Sequence, residues 1–179
     1  MRLSLVERKF HRSTAARCFN EAWDYLVKKH RTPRDDRRML DLVHASHYHW
    51  GLVGSPREMT IADWQVSRVY AALHEAPLAL LFARSSAELC ATHGLSDLQC
   101  TASEAMARAL AVGEDFASAR VYLKRARDFL DASKVEDAER KVYRGQIRET
   151  ARMIRRKGRP GVRAMGGAPS ARRGRLQPP

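Results

Sequence analysis

Long apolar runs are missing from this chain of 179 residues. The longest stretch without a polar side chain is the eight residues 76–83. A helix that crosses a membrane needs about 20 consecutive apolar residues, so the sequence predicts that no membrane is a partner. Near the N-terminus, Glu7, Arg8 and Lys9 interrupt the apolar stretch that a signal peptide would need. We therefore expect a cytoplasmic protein.

Cysteine is scarce, and the spacing of the three cysteines fits neither a metal site nor a disulfide framework. Cys18, Cys90 and Cys100 lie far apart, and no two of them form a Cys-x-x-Cys pair. This pattern predicts neither a zinc ribbon nor a set of disulfides. Isolated cysteines among alanines and leucines are typical of small buried hydrophobic residues in a reducing compartment.

The common sequence signatures of enzyme active sites are also missing. The chain contains no His-Glu-x-x-His zinc motif, no Gly-x-Ser-x-Gly nucleophile turn, no phosphate-binding loop and no dinucleotide fingerprint. On this basis we expect a protein that is not an enzyme, with no catalytic residue and no cofactor.

Acidic residues are absent from the C-terminal part of the chain. Residues 152–179 contain nine Lys and Arg and no Asp or Glu, so the first 151 residues carry only +4 of the net charge of +13. Residues 158–179 also lack apolar periodicity, which predicts a disordered basic tail after a helical domain at residues 1–157.

The basic C-terminal segment suggests a second function, as a nucleic-acid-associated accessory protein. Its candidate phosphate contacts are Arg152, Arg155, Arg156, Lys157 and Arg159. Because no aromatic residue follows Tyr143, stacking on bases is not possible there. We expect any such binding to be weak, non-specific and sensitive to salt.

Helix-start signals and helical periodicity dominate the rest of the chain. Capping-box patterns begin at Thr32, Ser55, Ser96 and Ser133, each with an acidic or amide side chain three residues later. Apolar residues recur at helical spacing, and no useful run alternates as a strand would. The helices are expected at about 7–29, 33–51, 56–73, 75–92, 97–112, 116–131 and 134–157. The predicted fold class is all-α, with six or seven helices in stacked antiparallel hairpins.

Residues 56–131 resemble tetratricopeptide repeats. Tyr70 lies late in one predicted helix and is followed by the small residues Ala79, Ala83 and Ser86 on the next helix, and the chain from Ala107 to Ala126 is similar. The spacing is nearer 40 residues than the 34 of that family. Segments 19–24 and 44–50 also resemble small bacterial proteins of unassigned function. This second resemblance gives no information about activity.

The resemblance implies a short solenoid whose concave groove binds a protein or peptide. The first helices of successive hairpins line such a groove. The predicted groove residues are Asn20, Asp24, Trp64, Arg68, Thr101, Glu104 and Arg108. Trp64 would anchor the partner, Arg68 and Arg108 would hold its carboxylates or carbonyls, and Asn20, Asp24 and Glu104 would set the polarity. This non-catalytic interaction or scaffold role is the main functional hypothesis.

A third hypothesis, a metal-dependent enzyme, concerns the histidines of the second predicted helix. Asp41, His44 and His47 lie one turn apart, and imidazoles at that spacing can share a zinc ion with a third ligand. The alternative is that the rings form hydrogen bonds between helices. His49 lies on a different face. We expect the structural role, and no metal.

Overall fold

The computed structural model describes residues 3–157, and the predicted disordered tail at 158–179 lies outside the described residues. Within them the protein is all-α. Its helices are α1 (Leu5–Leu26), α2 (Pro33–Val53), α3 (Pro56–Ala72), α4 (Ala76–Thr92), α5 (Gln99–Val112), α6 (Phe116–Ala132) and α7 (Asp137–Lys157). Each helix packs against its neighbours in succession, which confirms the predicted fold class of stacked helical hairpins.

Capping explains where the early helices begin. The Thr32 hydroxyl accepts a hydrogen bond from the Asp35 amide, and the Asp35 carboxylate accepts one from the Thr32 amide. Glu58 accepts from the Ser55 amide in the same way. The predictions for the last two boxes were wrong. Ser96–Leu98 form a short 3₁₀ helix with no side-chain cap before α5 starts at Gln99, and Ser133 is the C-cap of α6, with α7 starting only at Asp137. There, Arg140 donates to the carbonyls of Leu130 and Ser133.

The helices form two layers. The first members of the hairpins, α1, α3 and α5, contact each other in order, and α7 continues this inner layer by packing on α5 and α6. The outer layer consists of α2, α4 and α6. The two central inner helices are buried along most of their length, at residues 62–69 of α3 and 100–109 of α5. Every side chain in those two segments therefore faces protein, including the charged ones.

The turns of the second and third hairpins share one geometry. His74 and Glu114 both have a left-handed backbone, with φ of 63° and 64°. In each case the next amide donates to the carbonyl five residues earlier, Glu75 to Tyr70 at 2.9 Å and Asp115 to Leu110 at 3.0 Å. Equivalent positions in these hairpins are therefore 40 residues apart in the chain.

Candidate functional site

The inner layer brings part of the predicted groove together around two arginines. Arg68 of α3 reaches Glu104 of α5 (Nη1 to Oε2, 3.4 Å), and Arg108 contacts the same Glu104 through Nε and Nη2 at 3.0 and 2.9 Å. Glu149 of α7 binds both guanidinium groups from the other side, at 3.2 Å from Nη2 of Arg68 and 3.0 Å from Nη2 of Arg108. Thr150 donates its hydroxyl to Glu104. We call Arg68, Glu104, Arg108 and Glu149 the charge cluster.

The charge cluster is far less exposed than the open groove that we expected. Arg68 is 8% exposed, Arg108 9% and Glu104 1%. The reason is that α3 and α5 occupy the middle of the stack, and α7 places Glu149 where a partner's carboxylate was expected. Thr101 is also buried, and its hydroxyl donates to the Leu98 carbonyl within its own helix turn.

Burial and charge act against each other on the pKa values of the cluster. Burial lowers the pKa of Arg68, and the positive charge of Arg108 lowers it further. For Arg108, burial also acts to lower the pKa, but Glu104 and Glu149 outweigh it and the pKa is raised. Burial acts to raise the pKa of Glu149, but the charge of Arg108 and its hydrogen bond dominate and lower it. The Glu149 carboxylate is therefore held in its ionised form by the arginines.

Two tryptophans border the charge cluster on the α1 side. The guanidinium carbon of Arg68 lies 5.4 Å from the ring centroid of Trp23 and 5.5 Å from that of Trp64. The two indoles lie 5.6 Å apart. Trp64 is buried, and its indole Nε1 has no hydrogen-bond partner among the described residues. An unpaired buried donor next to an arginine can bind a carbonyl or carboxylate oxygen.

Helices α1 and α7 are the two end members of the inner layer and share no packed interface within residues 3–157, and we call the surface between them the groove. Arg68 spans the floor between them, because it contacts Trp23 of α1 and Glu149 of α7. On the α7 wall, the side chain of Glu149 is 52% exposed. On the α1 wall, Asn20 and Asp24 are exposed, and in the described part of the chain neither of them contacts the charge cluster.

The histidines of α2 bind different partners instead of converging. His44 Nε2 lies 2.8 Å from the Tyr70 hydroxyl, and His47 Nε2 lies 2.7 Å from Oδ1 of the buried Asp63. The other Asp63 oxygen accepts a hydrogen bond from Ser85 at 2.5 Å. Asp41 is exposed. Within residues 3–157, no three His, Cys, Asp or Glu side chains are close enough to hold a metal ion.

The remaining predicted sites lie on or beyond α7. Arg152, Arg155 and Arg156 are exposed on this helix, Lys157 is its last residue, and Arg159 lies outside the described residues.

None of the described helices is both long and apolar enough to span a membrane.

Sequence reasoning did not identify Glu149 or Trp23 as part of the site. Glu149 could have been found from the repeat spacing, since it follows Arg108 by 41 residues and Arg108 follows Arg68 by 40.

Comparison with protein-family models, with curated proteins and with solved structures finds no match to this chain.

Proposed function

We propose that the protein is a non-catalytic interaction module that binds an acidic segment of another protein in the groove between α1 and α7. Arg68 and Arg108 are the groups that hold the partner's carboxylate. The observation that carries this proposal is the position of Glu149, whose half-exposed carboxylate binds both arginines from the open side of the groove.

The chemistry of the site favours an exchange of one carboxylate for another. Removing Glu149 alone would leave two buried guanidinium groups with the single carboxylate of Glu104, and an uncompensated buried charge is costly. A partner's Asp, Glu or C-terminal carboxylate can take the place of Glu149, because it offers the same planar pair of acceptor oxygens to the two guanidinium groups. A neutral or basic segment cannot make this exchange.

The tryptophans add apolar contact area next to Arg68. Trp23 and Trp64 lie beside Arg68, so an apolar side chain next to the partner's carboxylate would pack against aromatic surface. Aromatic and arginine side chains are the residues that most often dominate protein interfaces.

The test uses a displayed peptide library selected on the full-length protein, followed by titration of the best peptides. We expect enrichment of peptides with Asp, Glu or a free C-terminal carboxylate. In a ¹⁵N spectrum, a bound peptide should shift the indole N–H signals of Trp23 and Trp64. The signal of Trp50, which lies over Arg12 at the end of α2, should stay in place as an internal control.

A variant of Glu149 tests the exchange itself. Glu149→Gln removes the competing charge, so the affinity for an acidic peptide should rise several-fold, whereas Glu139→Gln on an exposed turn of the same helix should leave it unchanged. Enrichment of peptides without acidic groups, or binding that shifts Trp50 but neither Trp23 nor Trp64, would contradict the proposal. So would an affinity that is the same for both variants.

A further inference from the structure

A second charged surface lies along one exposed face of α7. Its members are Lys141, Arg144, Arg148, Arg152 and Arg155, and we call them the basic stripe. Successive members are three or four residues apart, so they share one face of the helix. All five side chains are exposed. The stripe extends over roughly 21 Å of helix, at a rise of about 1.5 Å per residue.

A neighbouring face of α7 holds the helix in place. Ile147, Thr150, Ala151 and Ile154 are buried, and the three apolar ones belong to the core cluster that α5 and α6 supply. Arg152 and Arg156 both border the surface depression beside Glu149, so the C-terminal part of the stripe reaches the groove side. Lys141, Arg144 and Arg148 border a different depression, with Asp137 and Arg140, on the last helix of the described stack.

Positive charge in the stripe is uncompensated within residues 3–157. None of its five members forms an ion pair there, although ion pairs are common elsewhere on the surface. Like charges three or four residues apart destabilise a helix. The last helix of a stack needs a polar outer face to stay in solution. A mixture of positive and negative side chains would provide such a face without the repulsion between like charges. Among the described residues Asp137, at the start of this face, forms no ion pair with the stripe, and from Lys141 to Arg155 the face carries positive charge alone, which favours an anionic partner.

The chemistry of the stripe distinguishes between classes of anionic partner. A membrane surface would need an apolar side to insert beside the charges, and the apolar side of α7 is packed against the protein. A protein partner would need an apolar or aromatic anchor, and the stripe contains none. A nucleic acid needs neither, because its phosphates present a dense, regular line of charge, about one per 1.7 Å of duplex.

We propose that the basic stripe binds the phosphate backbone of a nucleic acid without reading its sequence. The site begins at Lys141, earlier in the chain than the segment that sequence reasoning selected. Lys141, Arg144 and Arg148, which the test below changes, do not border the depression beside Glu149, so failure of either proposal leaves the other standing. The sequence stays basic after α7, with no acidic residue to the end of the chain.

Fluorescence anisotropy of the full-length protein with labelled nucleic acids tests the proposal. The probes are a duplex DNA of about 20 base pairs, the matching duplex RNA and a single strand, each titrated at several salt concentrations. The stripe variant is K141Q/R144Q/R148Q. The control R34Q/R37Q/R84Q removes the same charge from exposed arginines of α2 and α4. None of the three control arginines forms an ion pair within residues 3–157.

We expect the wild-type protein to bind all three probes and the stripe variant to lose at least tenfold in affinity. The slope of log K against log salt should fall by about 0.9 for each lost phosphate contact on duplex DNA. The control should stay within about twofold of the wild type. A K141R/R144K/R148K variant keeps the charge and should keep the binding, because the backbone is recognised by charge.

Several outcomes would overturn the proposal. These are a wild-type protein that binds no probe at low salt, or a control variant that loses as much affinity as the stripe variant. Another is affinity that survives in the stripe variant but disappears when residues 158–179 are deleted. Phosphatidylserine vesicles that bind more tightly than the probes, with the same dependence on the stripe, would assign it to a membrane surface. If the triple variant does not fold, Arg148→Gln alone must still lower the salt slope by about 0.9 on duplex DNA.

Discussion

Arg108 of α5 and Glu149 of α7 face each other as a two-pronged ion pair. Nη1 of Arg108 lies 3.2 Å from Oε1 of Glu149, and Nη2 lies 3.0 Å from Oε2. This geometry fixes the rotation of α7 against α5, because both hydrogen bonds require the planes of the two groups to match. The same carboxylate also binds Arg68, so one exposed side chain connects three inner helices.

Glu104 is predicted to contribute more to stability than any surface acid. It is 1% exposed and binds both Arg68 and Arg108, so Glu104→Gln leaves two buried guanidinium groups with only Glu149. Breaking a buried pair in this way costs about 3–5 kcal/mol. Urea unfolding should show this loss. The Glu21→Gln variant, which weakens the exposed pairs with Arg17 and Arg38, should lose about 1 kcal/mol or less.

A loss for Glu104→Gln as small as that for Glu21→Gln would mean that the charge cluster is dispensable for the fold. The burial also changes what we expect from reversing both arginines. In an open groove, Arg68→Glu with Arg108→Glu would leave the helical content intact. In the folded protein this variant would bring four carboxylates together, so we now expect circular dichroism to show loss of the fold.

Local signals in the sequence were enough to find the helices but not the site. Thr32 and Ser55 with their acidic partners define helix starts through contacts within one turn, which the sequence records directly. The burial of Arg68 and Arg108 depends on which face of α7 packs inward. Val142 is apolar and would suit that face, yet it is 55% exposed, and the polar Thr150 is buried instead. That choice rests on packing between helices, so Glu149 was missed.

Stability is predicted to fall as the pH falls below neutrality, because of two histidines. Burial lowers the pKa of His49, and the nearby His11, whose Nδ1 lies 2.7 Å from Nδ1 of His49, lowers it further. Burial and the charge of His47 lower the pKa of His44, against a smaller opposite effect of Asp41.

A histidine whose pKa is lowered by folding binds protons more readily in the unfolded chain. Its contribution to stability is therefore complete above the unfolded value of about 6.5 and is lost as the pH falls through the lower folded value. Urea unfolding between pH 8 and 5 should show this decline. His49→Gln should weaken the dependence of the free energy of unfolding on pH. His30→Gln, at an exposed position, should leave that dependence unchanged. An unchanged profile in His49→Gln would assign the decline to other groups.

The three cysteines are predicted to be unreactive in the folded protein. Cys18, Cys90 and Cys100 are all free and buried. Burial raises the pKa of Cys90 to about 11 and that of Cys100 to about 12, so little thiolate forms at pH 8. A thiol reagent should label the native protein slowly and all three cysteines quickly in denaturant. Fast labelling of Cys90 in native conditions would show that the end of α4 opens.

The same substitution should have opposite effects at two glycines. Gly94 has a φ of 63°, and a Cβ added there would meet no atom within 4 Å, so only backbone strain opposes a side chain. Gly94→Ala should therefore lower the free energy of unfolding by about 1–2 kcal/mol. Gly145 lies inside α7, and an added Cβ there also meets no atom within 4 Å.

At Gly145 the balance reverses, because glycine in a helix interior costs about 0.5–1 kcal/mol relative to alanine. Gly145→Ala should raise the free energy of unfolding by that amount. Since the two variants add the same atoms in open space, their difference isolates the backbone conformation from packing. A stabilising Gly94→Ala would contradict the left-handed turn after α4. A destabilising Gly145→Ala would contradict an uninterrupted α7, the helix on which both Glu149 and the basic stripe depend.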